Sequence, residues 1–250
     1  MAEPVRFDAG EPLPLTGERT APDIADENYW FRRHAVVYRY SSSLVHGVRV
    51  LDAGCGEGYG TEILARSASE VVGLDLEEPV IRRAAALYER PRFECGNLVD
   101  QPFPDASFDA VVSLQVIEHL HTPQEFIAEC ARVLTPGGTL VISTPNRLTF
   151  SPHGIRNPFH TFEFSADELR ATIAQRFEVV AMLGVYHARR LRVIESLIRE
   201  SFPDRLIRQT APEWPRWLRA TVARVRDSDF RIAAGSLDES LDLIAIARRA

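Results

Sequence analysis

Three residues that can bind a metal or move a proton stand at two places in the chain. Glu118 and His119 directly follow the apolar run FDAVVSLQVI, and His160 stands much later in the segment NPFHTFEF, with Glu163 after it. Two imidazoles and a carboxylate suit a divalent cation such as Mg²⁺ or Mn²⁺, which accepts oxygen ligands together with some histidine. Because coordination lowers the pKa of a bound hydroxyl, the set predicts a metal site that activates an oxygen nucleophile.

The same residues admit two other interpretations. His119 or His160 could act as a general base without a metal, since the pKa of histidine lies near neutral pH. Glu118, His119 and His160 could also be purely structural. His34, His121 and His153 have no partner pattern, and we expect them on the surface.

A glycine-rich turn, LDAGCGEGYG, follows the first predicted strand and opens the first predicted helix. Gly54, Gly56 and Gly58 allow a sharp turn and let a ligand approach main-chain amides without meeting a Cβ atom. The next strand ends in Asp75, where a carboxylate would meet the two hydroxyls of a ribose. The pair predicts a nucleoside-containing cofactor, and the spacing of the glycines disfavours a nicotinamide dinucleotide.

The elements that must position these residues alternate apolar strands with amphipathic helices. Five strand patterns, VRVLDAG, EVVGLDL, RFECGN, FDAVVSLQ and GTLVISTP, predict a parallel sheet covered on both faces. Two later patterns, FEVVAMLG and SLDLIAIARR, predict an antiparallel pair at one edge. We therefore expect an α/β fold with a Rossmann-like, doubly wound, mostly parallel sheet of seven strands and an antiparallel edge strand. Ligands of such sheets lie at the carboxyl ends of the strands, which is where Glu118 and His119 fall.

The chain divides by composition into four predicted parts. Residues 1–45 read as an N-terminal arm and lid helix, and residues 46–184 as the cofactor-binding core. The polar, arginine-rich residues 185–236 read as a helical insertion that caps the substrate, and residues 237–250 as the final core strand.

Composition limits the class of protein. The net charge of −6 disfavours a general nucleic-acid binder, and the three cysteines lack the spacing of a disulfide framework or a thiolate zinc site. The sequence shows neither a secretory signal nor an apolar run long enough to span a membrane. These features predict a cytoplasmic enzyme and leave its oligomeric state open.

The glycine loop and its surroundings resemble the class I methyltransferases that use S-adenosylmethionine. Asp52 matches the acidic residue before the loop, Asp75 matches the ribose-binding acid, and LTPGGTLVIS resembles the fifth strand of the family. Asn97, with Leu98 beside it, stands where the family usually has an aspartate that contacts the adenine. The resemblance implies that S-adenosylmethionine is held by Asp52, Gly54, Cys55, Gly56, Asp75, Leu76, Asn97, Leu98 and Gln115.

The metal-ligand pattern resembles that of the small-RNA terminal-ribose O-methyltransferases. That family has a Glu, a Glu–His pair three residues later, and a distant His before a Phe–Glu–aromatic run. Glu118, His119 and His160 match, whereas Gln115 replaces the first Glu. The resemblance implies that Glu118, His119 and His160 are both catalytic and metal-binding, with Glu163 as their support.

The arm TGERTAPDIADENYWFRRH, together with VIEHL, STPNRLTFSP, NPFH and SLDLIAIA, resembles actinobacterial methyltransferases associated with methylglucose lipopolysaccharide synthesis. This resemblance implies O-methylation of a sugar hydroxyl, with a glucose oligomer as the carbohydrate acceptor. Tyr29, Trp30 or Phe31 could then lie near the cationic sulfonium, or could simply pin the helix to the core. Trp214 and Trp217 could stack on sugar rings or pack in a helix.

Three other functions stay open at this point. One is metal-independent O-methylation of a phenol or quinone with a histidine base. Another is methylation of RNA ribose, which the acidic balance disfavours. The third is a cofactor-binding regulator without catalysis.

Overall fold

The predicted alternation of strands and helices is present in the structure, a computed structural model that describes residues 20, 22, 24–151, 157–198, 201–203, 206 and 213–250. His153 and most of the N-terminal arm lie outside these residues. The strands are β1 (Arg49–Ala53), β2 (Glu70–Asp75), β3 (Arg92–Cys95), β4 (Phe108–Leu114), β5 (Leu134–Pro145), β6 (Phe177–His187), β7 (Phe230–Ala233) and β8 (Asp242–Arg249). The helices are α1 (Asn28–Leu44), α2 (Tyr59–Ala65), α3 (Glu78–Leu87), α4 (Pro123–Val133), α5 (Arg147–Phe150), α6 (Ala166–Ile173), α7 (Arg189–Ile198) and α8 (Arg216–Val222).

The strands form one mixed sheet in the order β3-β2-β1-β4-β5-β8-β6-β7. The first five strands pair in parallel, as predicted. Strand β8 lies antiparallel between β5 and β6, so β6 again runs in the direction of the first five strands. The carboxyl ends of β1, β2, β4, β5 and β6 therefore meet at one edge of the sheet.

The predicted count of seven strands is wrong, because the described chain contributes eight strands to the sheet. The missed strand is β7, which pairs antiparallel with β6 at the outer edge. Its four residues, FRIA, are too few to show the alternation that identifies a strand in a sequence. The antiparallel pairing of the two later predicted strands, β6 and β8, is confirmed, although both lie inside the sheet rather than at its edge.

The two faces of the sheet bury different helices, because successive side chains of a strand point to opposite faces. On β5, Leu140 and Ile142 pack in a cluster with α4 and α6, whereas Val141 packs in a second cluster with α1, α2, α7 and α8. Helices on both faces are what the doubly wound prediction requires. Strand β7 lies within residues 185–236, so this range contains a sheet strand besides α7 and α8. The division into arm, core, cap and final strand stays a prediction.

An ion pair fastens α1 to the start of β8. Arg33 is only 1% exposed, and its Nε donates to Asp242 Oδ2 at 2.6 Å while Nη2 donates to the carbonyl oxygen of Leu241 at 2.6 Å. A buried guanidinium is tolerated only with such partners, so loss of Asp242 would strand a charge in the core. The N-terminal helix is thereby held beside the carboxyl edge of the sheet. None of the described helices has the length and apolar character needed to cross a membrane.

Candidate functional site

The glycine loop after β1 has a backbone that residues with side chains rarely adopt. Gly54, Gly56 and Gly58 have φ angles of +87°, +50° and +79°. A Cβ atom on Gly54 would lie 2.3 Å from Cγ2 of Val116, while a Cβ on Gly56 would meet nothing within 4 Å. The loop is therefore closed by packing at Gly54 and open toward the cleft at Gly56, which is the shape that a ligand approaching the main chain needs.

Asp75 ends β2 and is tied to this loop. Its Oδ2 accepts from the backbone N–H of Gly56 at 2.9 Å, and its Oδ1 accepts from the N–H of Glu77 at 3.1 Å. The carboxylate is thus fixed in place, with further lone pairs available to hydroxyl donors. Asp75 lines the cleft together with the loop, as expected for a residue that binds a ribose.

The other predicted cofactor residues divide into two groups. Those that line the cleft are Gly54, Cys55, Gly56, Asp75, Leu76, Leu98 and Gln115. Asp52 and Asn97 do not line it. The side-chain oxygen of Asn97 accepts from the N–H of Val99 at 3.1 Å at an exposed position, which caps the turn after β3. The assignment of these residues to the cofactor stays a prediction.

Asp52 lies beneath the cleft and is fully buried. Thr61 Oγ1 donates to its Oδ2 at 2.7 Å, and the hydroxyl of Tyr38 donates to its Oδ1 at 3.2 Å. Burial raises the pKa of Asp52 to about 7, although the two hydrogen bonds act to lower it. Since Tyr38 lines the cleft, its hydroxyl group connects Asp52 to the cleft through this hydrogen bond.

Helix α1 supplies cleft residues that the sequence interpretation missed. His34 and Tyr38 stand four residues apart on one face of the helix and line the cleft with Thr20 and Tyr59. The expected surface position of His34 is wrong, because the residue is half-buried and burial lowers its pKa to about 4. The helical spacing was visible in the sequence. The contact with the glycine loop was not, because it depends on Gly60, where a Cβ would lie 2.0 Å from the Tyr38 ring.

The aromatic residues at the start of α1 pack in the core instead. Tyr29 is fully buried, with its ring centroid 5.2 Å from Phe202 and 5.5 Å from Phe230. Phe31 packs edge-on against Tyr59 at 5.0 Å. None of Tyr29, Trp30 and Phe31 lines the cleft, so the structure supports the interpretation that they pin the helix. Trp214 is likewise buried in the core, while Trp217 is exposed.

Glu118 lies just after β4 and is 1% exposed. Burial raises the pKa of its carboxyl group to about 8, even though Thr144 Oγ1 donates to Oε2 at 2.9 Å. The backbone carbonyl of Glu118 accepts from the N–H groups of Thr161 and Phe162, at 2.8 and 3.1 Å. These bonds bring the loop that carries His160 onto the turn that carries His119.

The two predicted histidines meet with their rings in fixed orientations. Their centroids are 5.1 Å apart with the planes nearly perpendicular. Nδ1 of His119 donates to the carbonyl oxygen of Phe159 at 3.0 Å, and Nδ1 of His160 lies 3.0 Å from Oε1 of Glu163. Burial is the largest single influence and acts to raise the pKa of Glu163, but the hydrogen bonds from His160, Ser151 and the backbone of Asn157, together with the charge of His160, lower it overall. A histidine that donates from Nδ1 carries its lone pair on Nε2, the arrangement that metal-binding imidazoles use.

The residues fit a divalent cation. One possible ligand atom from each of Glu118, His119 and His160 lies within 4.8 Å of the other two. Ligands of an octahedral ion with bonds of about 2.1 Å stand about 3.0 Å apart when adjacent and about 4.2 Å apart when opposite, so the three atoms are near enough to reach one ion after they move closer together. His119 also lines the cleft of the glycine loop, which joins the cluster to that cleft.

Gln115 is the residue that replaces the first Glu of the resembled metal-ligand pattern. It adopts a φ of +59°, which is uncommon for a residue with a side chain. Its Nε2 donates to Ser143 Oγ at 3.0 Å and lies 3.4 Å from Oδ1 of Asp242. The amide thus connects the cleft to the Arg33–Asp242 pair.

Comparison with known proteins gives matches that include the glycine loop and the Glu118–His119 turn. Residues 51–142 match the methyltransferase-domain family model, a span that includes the glycine loop, Asp75, Glu118 and His119. A protein of Mycolicibacterium smegmatis named as a probable S-adenosylmethionine-dependent methyltransferase is 46% identical over 245 residues, which are 95% of each chain. A ubiquinone biosynthesis O-methyltransferase of Maricaulis maris is 36% identical over 108 residues, which are 40% of this chain and 42% of that protein.

Solved structures share the fold. The N-methyltransferase NodS from Bradyrhizobium japonicum, solved with S-adenosyl-L-homocysteine, superposes with a TM-score of 0.53 at 18% identity, covering 91% of this chain and 89% of that one. Since identity this low shows the fold alone, the family assignment rests on the full-length relative and on the glycine loop with Asp75. The chain belongs to the S-adenosylmethionine-dependent methyltransferases.

Proposed function

We propose that the protein transfers the methyl group of S-adenosylmethionine to a sugar hydroxyl in a glucose oligomer, with a Mg²⁺ or Mn²⁺ ion held by Glu118, His119 and His160. The observation that carries the proposal is the position of His119. It lines the cofactor cleft and also belongs to the three-residue cluster, so an acceptor oxygen held by the cluster would face the cofactor.

The chemistry of the cluster agrees with an alcohol acceptor. A sugar hydroxyl is a poor nucleophile at neutral pH, and a bound divalent cation would supply the charge that makes its proton easier to lose. S-adenosylmethionine supplies an electrophilic methyl group, so that a new O–CH₃ bond replaces the S–CH₃ bond and the acceptor proton is released. The protein contributes by orienting the acceptor, which can be worth roughly 7 to 11 kcal/mol when the geometry is good.

The buried carboxyl of Glu118 is compatible with a bound cation. Its pKa of about 8 means that the isolated group resists ionisation near neutral pH. A positive ion beside it would replace the proton and reverse that preference. Glu163 and the carbonyl of Phe159 would hold His160 and His119 in the tautomers that metal binding needs.

The sugar acceptor is supported by the resemblance of the arm, VIEHL and NPFH segments to methyltransferases of methylglucose lipopolysaccharide synthesis. To test the proposal, methyl transfer to glucosides, gluco-oligosaccharides and catechols would be followed by mass spectrometry, with chelator and again with added Mg²⁺ or Mn²⁺. The proposal expects a sugar product that chelator abolishes and the metal restores. Sugar methylation that ignores chelator would show that the reaction needs no metal.

The second candidate is metal-independent O-methylation of a phenol or quinone. The similarity to a ubiquinone biosynthesis O-methyltransferase over 108 residues favours it. A phenol ionises more easily than an alcohol, so His119 or His160 would suffice as a base. Activity confined to catechols and indifferent to chelator would establish this alternative and reject the sugar acceptor.

A further inference from the structure

A second cleft opens at the carboxyl edge of the sheet, and none of its residues lines the cofactor cleft. Its walls come from α5, the end of β6, α7, β7 and the turn before β8. The residues that matter for its chemistry are Thr149, Tyr186, His187, Arg192, Arg231 and Glu239.

The second cleft adjoins the Glu118–His119–His160 cluster. Thr149 lines it, and the ring of the next residue, Phe150, stacks on His160 with centroids 5.3 Å apart and planes 26° from parallel. His187 ends β6, which runs in the same direction as β4, so the cleft opens at the edge of the sheet where Glu118 lies. A ligand that fills it would have one end next to the cluster.

The floor of the second cleft is rigid. His187 is 4% exposed, and both of its ring nitrogens have partners. Nε2 lies 2.7 Å from the hydroxyl of Tyr29, and Nδ1 lies 3.0 Å from Oε2 of Glu195. An imidazole with both nitrogens engaged forms part of the rigid floor of the cleft and does not serve as a second base.

The rim of the second cleft carries polar side chains, one of which is held in place by an aromatic ring. The guanidinium of Arg231 lies over the ring of Tyr186 at 4.5 Å, and these two residues are directly opposite in the pairing of β6 with β7. Within the part of the chain that the structure describes, no hydrogen bond or ion pair engages the side chains of Arg192, Arg231 or Glu239. Their donors and acceptors are available to a ligand.

The charges of the second cleft balance. Arg192 and Arg231 contribute two positive charges, and Glu195 and Glu239 contribute two negative ones. A balanced set of donors and acceptors suits vicinal hydroxyl groups better than an anion, a cation or an apolar ring.

We infer that the second cleft is an acceptor subsite that binds the neutral, polyhydroxylated sugar units beside the unit that is methylated. This inference rests on the proposed sugar O-methylation and adds the place where the rest of the oligomer lies. The subsite would make the enzyme favour an oligosaccharide over a single glucoside, because Arg192, Arg231 and Glu239 contact only the longer acceptor.

The test uses Arg192→Gln, Arg231→Gln and Glu239→Gln, with Arg170→Gln as a control at an exposed position of helix α6. Binding of maltohexaose in the presence of S-adenosylhomocysteine would be measured by calorimetry, alongside methyl transfer to methyl α-glucoside. We expect each arginine variant to weaken maltohexaose binding by about tenfold, the usual size for a lost charged hydrogen bond, and Glu239→Gln by less. The control, the affinity for S-adenosylhomocysteine and transfer to methyl α-glucoside should all stay within about twofold.

The outcomes separate this inference from the proposed function. Maltohexaose that does not bind the wild-type protein, or that binds all variants equally, would overturn the subsite even if methyl α-glucoside is methylated. Maltohexaose that binds through Arg192 and Arg231 in a protein that methylates no sugar would keep the subsite and reject the proposed reaction.

Discussion

The glycine loop and the Glu118–His119–His160 cluster meet at one cleft, which His119 lines together with the loop, but the two regions are built in different ways. The loop is held by its backbone, with positive φ at Gly54, Gly56 and Gly58 and a main-chain hydrogen bond to Asp75. The cluster consists of side chains from two loops far apart in sequence, which backbone hydrogen bonds to the carbonyl of Glu118 join, and it has a buried carboxyl group at its centre. The function of the loop therefore depends on its backbone shape, and that of the cluster depends on its charge. Substitutions in the two regions should have different consequences.

The largest effect is expected from Gly54→Ala. The new Cβ would lie 2.3 Å from Val116 at a φ of +87°. Overpacking and left-handed strain together cost about 2 to 5 kcal/mol, and the displaced loop should bind S-adenosylhomocysteine at least about 100-fold more weakly. Chemical denaturation and calorimetry would measure both. Gly47→Ala is the matched control, because Gly47 has a φ of +72° but nothing within 4 Å. Equal losses in the two variants would show that packing at Val116 is unimportant.

The second-largest effect is expected from Glu118→Gln, which should affect the cluster and leave the glycine loop intact. Glu118→Gln should lower metal-dependent methyl transfer by at least about 100-fold, because a neutral amide cannot replace the anionic ligand. The affinity for S-adenosylhomocysteine should stay within about twofold, since the loop is untouched. Activity assays and calorimetry would report the two quantities, with Glu125→Gln on the exposed side of α4 as control. Near-normal activity in the Glu118→Gln variant would contradict the role of the carboxylate.

Glu163→Gln should act through His160 and have an intermediate effect. Loss of the charged acceptor at Nδ1 typically lowers metal affinity about 10- to 100-fold. Calorimetric titration with Mn²⁺ would measure it, with Glu178→Gln on β6 as control. If Mn²⁺ binds the variant as tightly as the wild-type protein, Glu163 does not orient a metal ligand.

A smaller effect, on the melting temperature, is expected from the protonation of Glu118 and concerns the cluster alone. In metal-free protein the pKa of Glu118 is about 8, above its ordinary value of 4.5. The folded state therefore favours the protonated form, and this contribution to stability is complete at low pH and lost as the pH rises through about 8. Glu118→Gln removes the ionisation, so its melting temperature relative to the wild type should rise by a few °C between about pH 5 and about pH 8.5. A difference in melting temperature that does not change with pH would contradict the raised pKa.

The smallest effect is expected beneath the loop. Tyr38→Phe removes the hydroxyl that donates to Asp52 at 3.2 Å, which should cost about 1 kcal/mol in the free energy of unfolding. Chemical denaturation would measure the loss, with Tyr40→Phe as the control on the same helix. A loss above about 3 kcal/mol would mean that Tyr38 does more than satisfy Asp52.

The two regions also differ in what the sequence could predict. The glycine loop and Asp75 are local patterns at the ends of adjacent strands, so their approach follows from the parallel sheet alone. The approach of His160 to Glu118 depends on a loop-to-loop contact, which the chemistry of these residues and the motif resemblance suggested but which no spacing along the chain required. The position of His34 in the cleft and the pairing of Arg33 with Asp242 depend on how α1 docks, and strand β7 was too short to recognise. These features follow from tertiary packing, which spacing along the chain does not contain.

The most direct test of the central claim is a titration of the protein with Mn²⁺ followed by electron paramagnetic resonance. If Glu118, His119 and His160 form a metal site, the wild-type protein should bind one ion per chain, and Glu118→Gln and His160→Ala should each lose it while still binding S-adenosylhomocysteine. An ion that binds all three proteins equally, or no binding to the wild type, would contradict the metal site and leave the histidines as candidate bases.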